Sequence, residues 1–284
     1  MTIAEELLAA ALRIASALGA PQVTAVHIPP WQEDPGRDAE FCAVRLADGA
    51  VGTAYVLLAD TLARIQGRRG AAPESALELA RGFAGGDPVD RALGLAAINA
   101  LSQSLFRRAG YVPDLATNSL GSLDLGPGDH LGMIGFFRPL VERVRALGIS
   151  LTVIELQAHL VQEEPGFAVT LDPARLAACN KIVSTSTVLL NDSLDGLLQH
   201  ARHAAQFVII GPSAGCVPDP LFARGVTAVG GALVTDADAF MRRAAAAEPW
   251  GDAARKYHIA RDVYPGFAAL LERERAAGQT AAKP

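Results

Sequence analysis

Four short loops, each following an apolar run, carry the residues whose types and spacing suit chemistry. The first reads Gly132-Met-Ile-Gly135-Phe136-Phe-Arg138-Pro139. It offers a glycine for a tight turn, then a cation and a proline placed for the first turn of a helix, whose free N–H groups attract anions. Glu155 closes the next apolar run, 20 residues after Gly135. A dinucleotide fold places the acid that holds ribose hydroxyls at about that distance; the plainer alternative is an acid facing solvent. The third loop, Ser184-Thr185-Ser186-Thr187 followed by Asn191-Asp192-Ser193, gathers hydroxyls and an amide. Such groups bind phosphate, carboxylate or a metal-bound oxygen through neutral hydrogen bonds, or else simply cap a helix. The fourth, Gly211-Pro212-Ser213-Ala214-Gly215-Cys216, has the small residues that let a backbone approach a ligand closely.

Histidine supplies two further candidates. His159 follows Glu155 by four residues, and together they would make an acid–base or metal-binding pair. His200 and His203 stand three apart on an expected helix, a spacing that clamps a metal, although no third ligand completes the set locally. Asn99 interrupts an apolar helix, Ala96-Ala-Ile-Asn99-Ala-Leu. A buried amide needs partners, so Asn99 either pins an interface between domains or faces a cleft.

Composition removes much other chemistry. Of the 25 basic residues only Lys181, Lys256 and Lys283 are lysines, so 22 are arginines. No phosphate-binding loop of the G-x-x-x-x-G-K-[ST] type exists, and a Schiff-base enzyme would have to use one of those three. Cys42, Cys179 and Cys216 form no C-x-x-C pair, so neither a zinc ribbon nor a dithiol motif is supported, and an odd count in a chain this long argues against a disulfide framework. A net charge of −5 argues against a nucleic-acid binder. The acidic start and the lack of an apolar run of about 18–20 residues lead us to expect a cytoplasmic chain with no membrane insertion.

The elements that must position these loops fall into two groups. A helix over residues 4–18 ends at Gly19; strands follow at 23–28, 41–46 and 51–57, the last two joined by an Asp48-Gly49 turn. The stretch 29–37 reads as a loop, and helices follow at 74–83 and 87–108. From His130 onward, short apolar runs at 131–136, 151–155, 181–185, 207–211 and 226–231 alternate with helical patterns at 139–147, 193–204 and 220–224. A last helix spans 237–247, and a polar tail follows Glu272. Strands that are apolar throughout, separated by helices, suit a doubly wound parallel sheet. The expected class is α/β, with an α+β module over residues 1–110 and a parallel-sheet domain over 111–284.

These segments together resemble the putative heavy-metal-chelation family of bacteria and archaea. The resemblance is carried by Asp48-Gly49-Ala-Val-Gly52-Thr-Ala54, Ala96-Ala-Ile-Asn99-Ala100-Leu101, Gly132-Met-Ile-Gly135-Phe-Phe-Arg138-Pro-Leu140 and Leu151-Thr-Val-Ile-Glu155-Leu. It continues through Ser184-Thr-Ser-Thr187-Val-Leu-Leu-Asn191-Asp-Ser-Leu194, Val208-Ile-Ile-Gly211-Pro212-Ser213 and Leu221-Phe222-Ala-Arg224-Gly225-Val226. It implies an enolase N-terminal-like module followed by a Rossmann-like domain. The family name implies handling of a transition metal or a metal chelate. With no compact Cys/His set, the chemically available choices are oxygen ligands with scattered histidines, or a metal that arrives already chelated.

The leading expectation is a small-molecule binder that takes an anionic ligand, a metal chelate or chelator precursor, in a cleft at the strand ends. Gly135, Phe136, Arg138, Glu155, Thr185, Ser186, Thr187, Asn191, Gly211, Pro212 and Ser213 form its wall, with Asn99 opposite and His159 as the metal candidate. One alternative is an enzyme using a nucleoside cofactor, NAD or S-adenosylmethionine, through Glu155. The other is direct metal binding or delivery through His159 or the His200/His203 pair. The apolar surplus adds the expectation of a homodimer.

Overall fold

The computed structural model describes residues 1–31, 40–70, 75–116 and 123–281, so most of the expected 29–37 loop and the start of the 74–83 helix lie outside the described residues. The first module consists of α1 (Ile3–Ala17), β1 (Val23–His27), β2 (Phe41–Leu46), β3 (Val51–Tyr55), α2 (Thr61–Ile65), α3 (Ala76–Arg81) and α4 (Pro88–Arg108). Each long helix begins on a side-chain cap. Thr2 and Glu5 exchange hydrogen bonds with each other's backbone at the start of α1, and Asp87 accepts from the N–H groups of Val89 and Asp90 ahead of α4.

The three strands form an antiparallel sheet in the order β1-β2-β3. Asp48-Gly49 makes the β2–β3 turn, with Gly49 at φ +88°. Helix α4 lies on this sheet so closely that a Cβ on Gly52 would run into the backbone of Ala96, Asn99 and Ala100. Nearly all of α4 is buried, including Asn99, Ser102, Gln103 and Ser104.

The second part runs through β4 (Asp114–Leu115), β5 (His130–Ile134), α5 (Arg138–Ala146), β6 (Ser150–Ile154), β7 (Gln162–Glu164), β8 (Phe167–Thr170) and β9 (Lys181–Thr185). It continues with α6 (Leu194–His200), β10 (Gln206–Ile210), α7 (Asp219–Phe222), β11 (Ala228–Val234), α8 (Ala237–Ala245), β12 (Ala254–Ala260) and α9 (Phe267–Ala281). Its strands make one sheet in the order β4-β12-β11-β10-β9-β5-β6-β8-β7. The six from β11 to β8 are mutually parallel; β12 and β7 run antiparallel to them, and β4 pairs antiparallel with β12 at the margin. Numbered along the chain, the parallel six stand in the order 3-2-1-4-5-6 of doubly wound dinucleotide folds. The class is α/β, as expected: a small antiparallel sheet with helices beside a large, mostly parallel one.

Two expectations about elements change. The polar tail after Glu272 is part of helix α9, whose buried stripe is Phe267, Leu270, Leu271 and Glu274. Glu274 is tolerated there because Arg108 of α4 pairs with it at 2.7 Å. The expected helix 193–204 stops at His200, so His203 lies in the turn beyond it and the two histidines share no helical face. The principal apolar core is continuous from Ile3 to Leu271, joining α1, α4 and α9 to β9, β10 and β11.

Candidate functional site

In a sheet of this order the chain leaves β5 toward one edge and returns to β9 before moving toward the other. Folds of this order hold ligands where the ends of the two central strands diverge, which makes the ends of β5 and β9 the candidate crevice. Ile134 pairs with Ser184, so the next residues, Gly135 and Thr185, open the crevice opposite each other. Gly135 has φ +86°, and a Cβ there would stand 3.0 Å from Thr185 Cγ2 and 4.0 Å from Phe137 Cε2. The glycine leaves bare backbone between a threonine methyl and a phenyl ring.

Phe137 is the residue before α5, and no side chain caps that helix. Arg138 opens α5, is exposed, and makes no ion pair among the described residues. Across the crevice Thr185 caps the short turn that follows β9, its Oγ1 accepting from Thr187 N at 3.3 Å and from Thr187 Oγ1 at 3.2 Å. Ser186 is buried beneath Gly211, where a Cβ would collide with its Oγ. Gly135, Thr185, Ser186, Thr187 and Gly211 are thus brought together, with Phe136 and Arg138 on the turn that follows Gly135.

Glu155 lies beside this group but is engaged. Its Oε2 accepts from Phe136 N at 2.9 Å, and its Oε1 from Leu156 N at 2.7 Å and Gln157 N at 3.4 Å. The carboxylate closes the β5–α5 turn, so a ribose would have to compete with three backbone N–H groups. Asn191 is likewise occupied in a local turn, accepting from Ser193 N at 3.2 Å and Ser193 Oγ at 2.6 Å. Pro212, Ser213 and Asn99 form the joint between the sheets. Asn99 Nδ2 donates to Thr53 O and Ser213 O, both at 2.8 Å; Thr53 Oγ1 donates to Pro212 O at 2.9 Å, and Tyr55 N to Ser213 Oγ at 2.9 Å. Of the two readings of Asn99, the interface pin is the one observed.

Two neighbours of the crevice were not singled out from the sequence. Phe137 carried no signal, because the direction of its ring depends on the backbone ahead of α5. Arg91 of α4 reaches Asp192 Oδ1 at 3.3 Å, linking the first module to the loop after β9. Asp192 itself adopts φ +59°.

The described residues do not fit a directly bound heavy-metal ion. His159 is exposed on a turn, and no group of three or more His, Cys, Asp or Glu converges among the described residues. The three thiols are free, separate and buried. Burial pushes Cys42 and Cys216 up to about 12 and Cys179 up to about 11, which disfavours the thiolate that a soft metal needs.

No helix among the described residues is long and apolar enough to cross a membrane. A solved structure from Pyrococcus horikoshii, a protein of unknown function from the DUF364 family, is similar with a TM-score of 0.69 and 20% identity, covering 91% of this chain and 100% of that one. A DUF364-family protein of unknown function from Desulfitobacterium hafniense gives a TM-score of 0.63 and 19% identity over 88% and 97%. Both likenesses support the fold. Structures of the mandelate racemase/muconate lactonizing type reach only 0.26 and lend no support to the enolase N-terminal-like label. An uncharacterized protein of Methanocaldococcus jannaschii is 26% identical over 175 residues, which span 60% of this chain and 66% of that relative. Family models described as putative heavy-metal chelation match residues 39–102 and residues 118–261, the latter being 144 of the 284. The chain belongs to this putative heavy-metal-chelation family.

Proposed function

We propose that the chain binds an anionic chelator, or the metal chelate it forms, in the crevice between the ends of β5 and β9. The observation that carries this reading is the pairing of Arg138, a cation without a carboxylate partner among the described residues, with the bare backbone of Gly135 facing Thr185. Arg138 supplies charge to a ligand carboxylate, the Thr185 hydroxyl, which accepts from Thr187, donates its own proton to the ligand, and the Phe137 ring gives the ligand an apolar wall. The family description agrees with this class of ligand.

Calorimetry with zinc–citrate as the probe tests the reading. Saturable binding to the full chain is expected, weakened about tenfold or more in Arg138→Ala, as loss of a charge-assisted hydrogen bond implies. Equal affinity in wild type and variant would overturn the placement. Thermal stabilisation by NAD or S-adenosylmethionine, with none by zinc–citrate, would replace it with a nucleoside-cofactor reading.

A further inference from the structure

A second cationic feature lies in the first module and shares no residue with the crevice. Residues 24–28 of β1 and the strand's exit, together with Arg68, Arg69 and Gly70, line a cavity of about 340 Å³. Among the described residues its lining holds two guanidinium groups, one imidazole and no carboxylate. Arg68 is engaged by Asp90. Arg69 reaches only Gln66 Oε1, at 3.4 Å, and meets no carboxylate among the described residues. Among the described residues β1 is the edge strand of its sheet, so half its peptide groups turn away from β2. His27 pairs with Ala43 in the ladder and is half-buried; burial, then the charge of Arg69, lowers its pKa to about 4. The ring is therefore neutral at physiological pH, with one N–H to donate.

We infer that this cavity is an oxyanion site separate from the β5–β9 crevice, in which Arg69 supplies the charge and His27 and the outer edge of β1 supply neutral donors. The volume lies at the lower end of the roughly 300–1,000 Å³ of ligand pockets, which suits a small phosphate or carboxylate compound and excludes a macromolecular partner as its filling. The open cationic rim matches an anion, and the backbone edge matches a ligand with several acceptor oxygens. A bound anion also favours the imidazolium, so the His27 ring reports occupancy.

The test is a titration of the isotopically labelled full chain with inorganic phosphate and, separately, with citrate, following the His27 ring and the Arg69 guanidinium by NMR. His27→Gln assigns the ring signal among the six histidines. Saturable shifts at both groups, a raised His27 pKa in the bound state, and about tenfold or greater weakening in Arg69→Ala are expected. Arg138→Ala leaves this binding unchanged. A response to phosphate alone identifies a phosphoryl ligand, and a response to citrate alone a carboxylate; either supports the site. Signals that stay fixed with both anions, or an Arg69→Ala variant that binds as wild type, would overturn it.

Discussion

Asn99 Nδ2, at the centre of α4, donates a 2.8 Å hydrogen bond to the carbonyl of Ser213 in the loop after β10, and the same nitrogen holds Thr53 O of β3 at 2.8 Å. One buried amide thus fastens both sheets, because its two N–H groups point in different directions. Asn99→Leu strands two buried carbonyls in an apolar joint. At about 1–3 kcal/mol for each unsatisfied group, partly offset by added apolar packing, the variant should lose about 2–4 kcal/mol in urea unfolding. A loss under about 1 kcal/mol would mean that the carbonyls find other partners.

Gly135→Ala carries two penalties. A side chain at φ +86° costs about 1–2 kcal/mol, and its Cβ would press on Thr185 Cγ2 at 3.0 Å. We expect a stable but weakened protein whose crevice no longer binds zinc–citrate. Gly67→Ala, where nothing stands within 4 Å and φ is not positive, is the matched control and should be silent in both measurements.

His27 gives stability a pH dependence of predictable sign. Its folded-state pKa is lowered from 6.5 to about 4, so the unfolded chain takes a proton that the native state refuses. Stability is therefore retained above pH 6.5 and is lost as the pH falls toward 4, by about 3 kcal/mol for this group. His130, also lowered chiefly by burial, acts with the same sign. Carboxylates such as Glu6, held low by its hydrogen bond to Arg224, contribute only at more acidic pH. Denaturant midpoints measured across this range should slope less in His27→Gln than in wild type; equal slopes would contradict the assignment.

The thiols should be silent in the folded protein. Cys42, Cys179 and Cys216 are buried, and their pKa values are raised to about 12, 11 and 12. At about pH 8 a thiol reagent should modify fewer than one cysteine per native chain and all three in denaturant. Rapid reaction of a native thiol would reopen sulfur ligation of a soft metal.

What could be read in advance followed local chemistry. The glycine, arginine and proline of Gly135, Arg138 and Pro139 each have one conformational use, and together they mark a strand–turn–helix whatever surrounds them. The hydroxyls of 184–187 were equally plain, since small polar residues after an apolar run mark a strand end. Roles that depend on distant partners were not readable. Helix α9 was hidden because one position of its buried stripe is Glu274, tolerable only beside Arg108, 166 residues earlier in the chain. Ser213 looked like a ligand contact because nothing nearby in sequence announces that Asn99 and Tyr55 will meet it. Glu155 sat at the spacing of a ribose acid, yet its oxygens are taken by the turn it closes.

Ligand binding at the β5–β9 crevice is tested most directly by a map of backbone amide shifts in the full chain on titration with zinc–citrate. Saturable shifts centred on Gly135, Phe137, Arg138, Thr185 and Thr187 are expected, reduced in affinity about tenfold or more by Arg138→Ala and measurably by Thr185→Val. Shifts confined to His27 and Arg69, or none at the β5–β9 crevice at saturating probe, would contradict it.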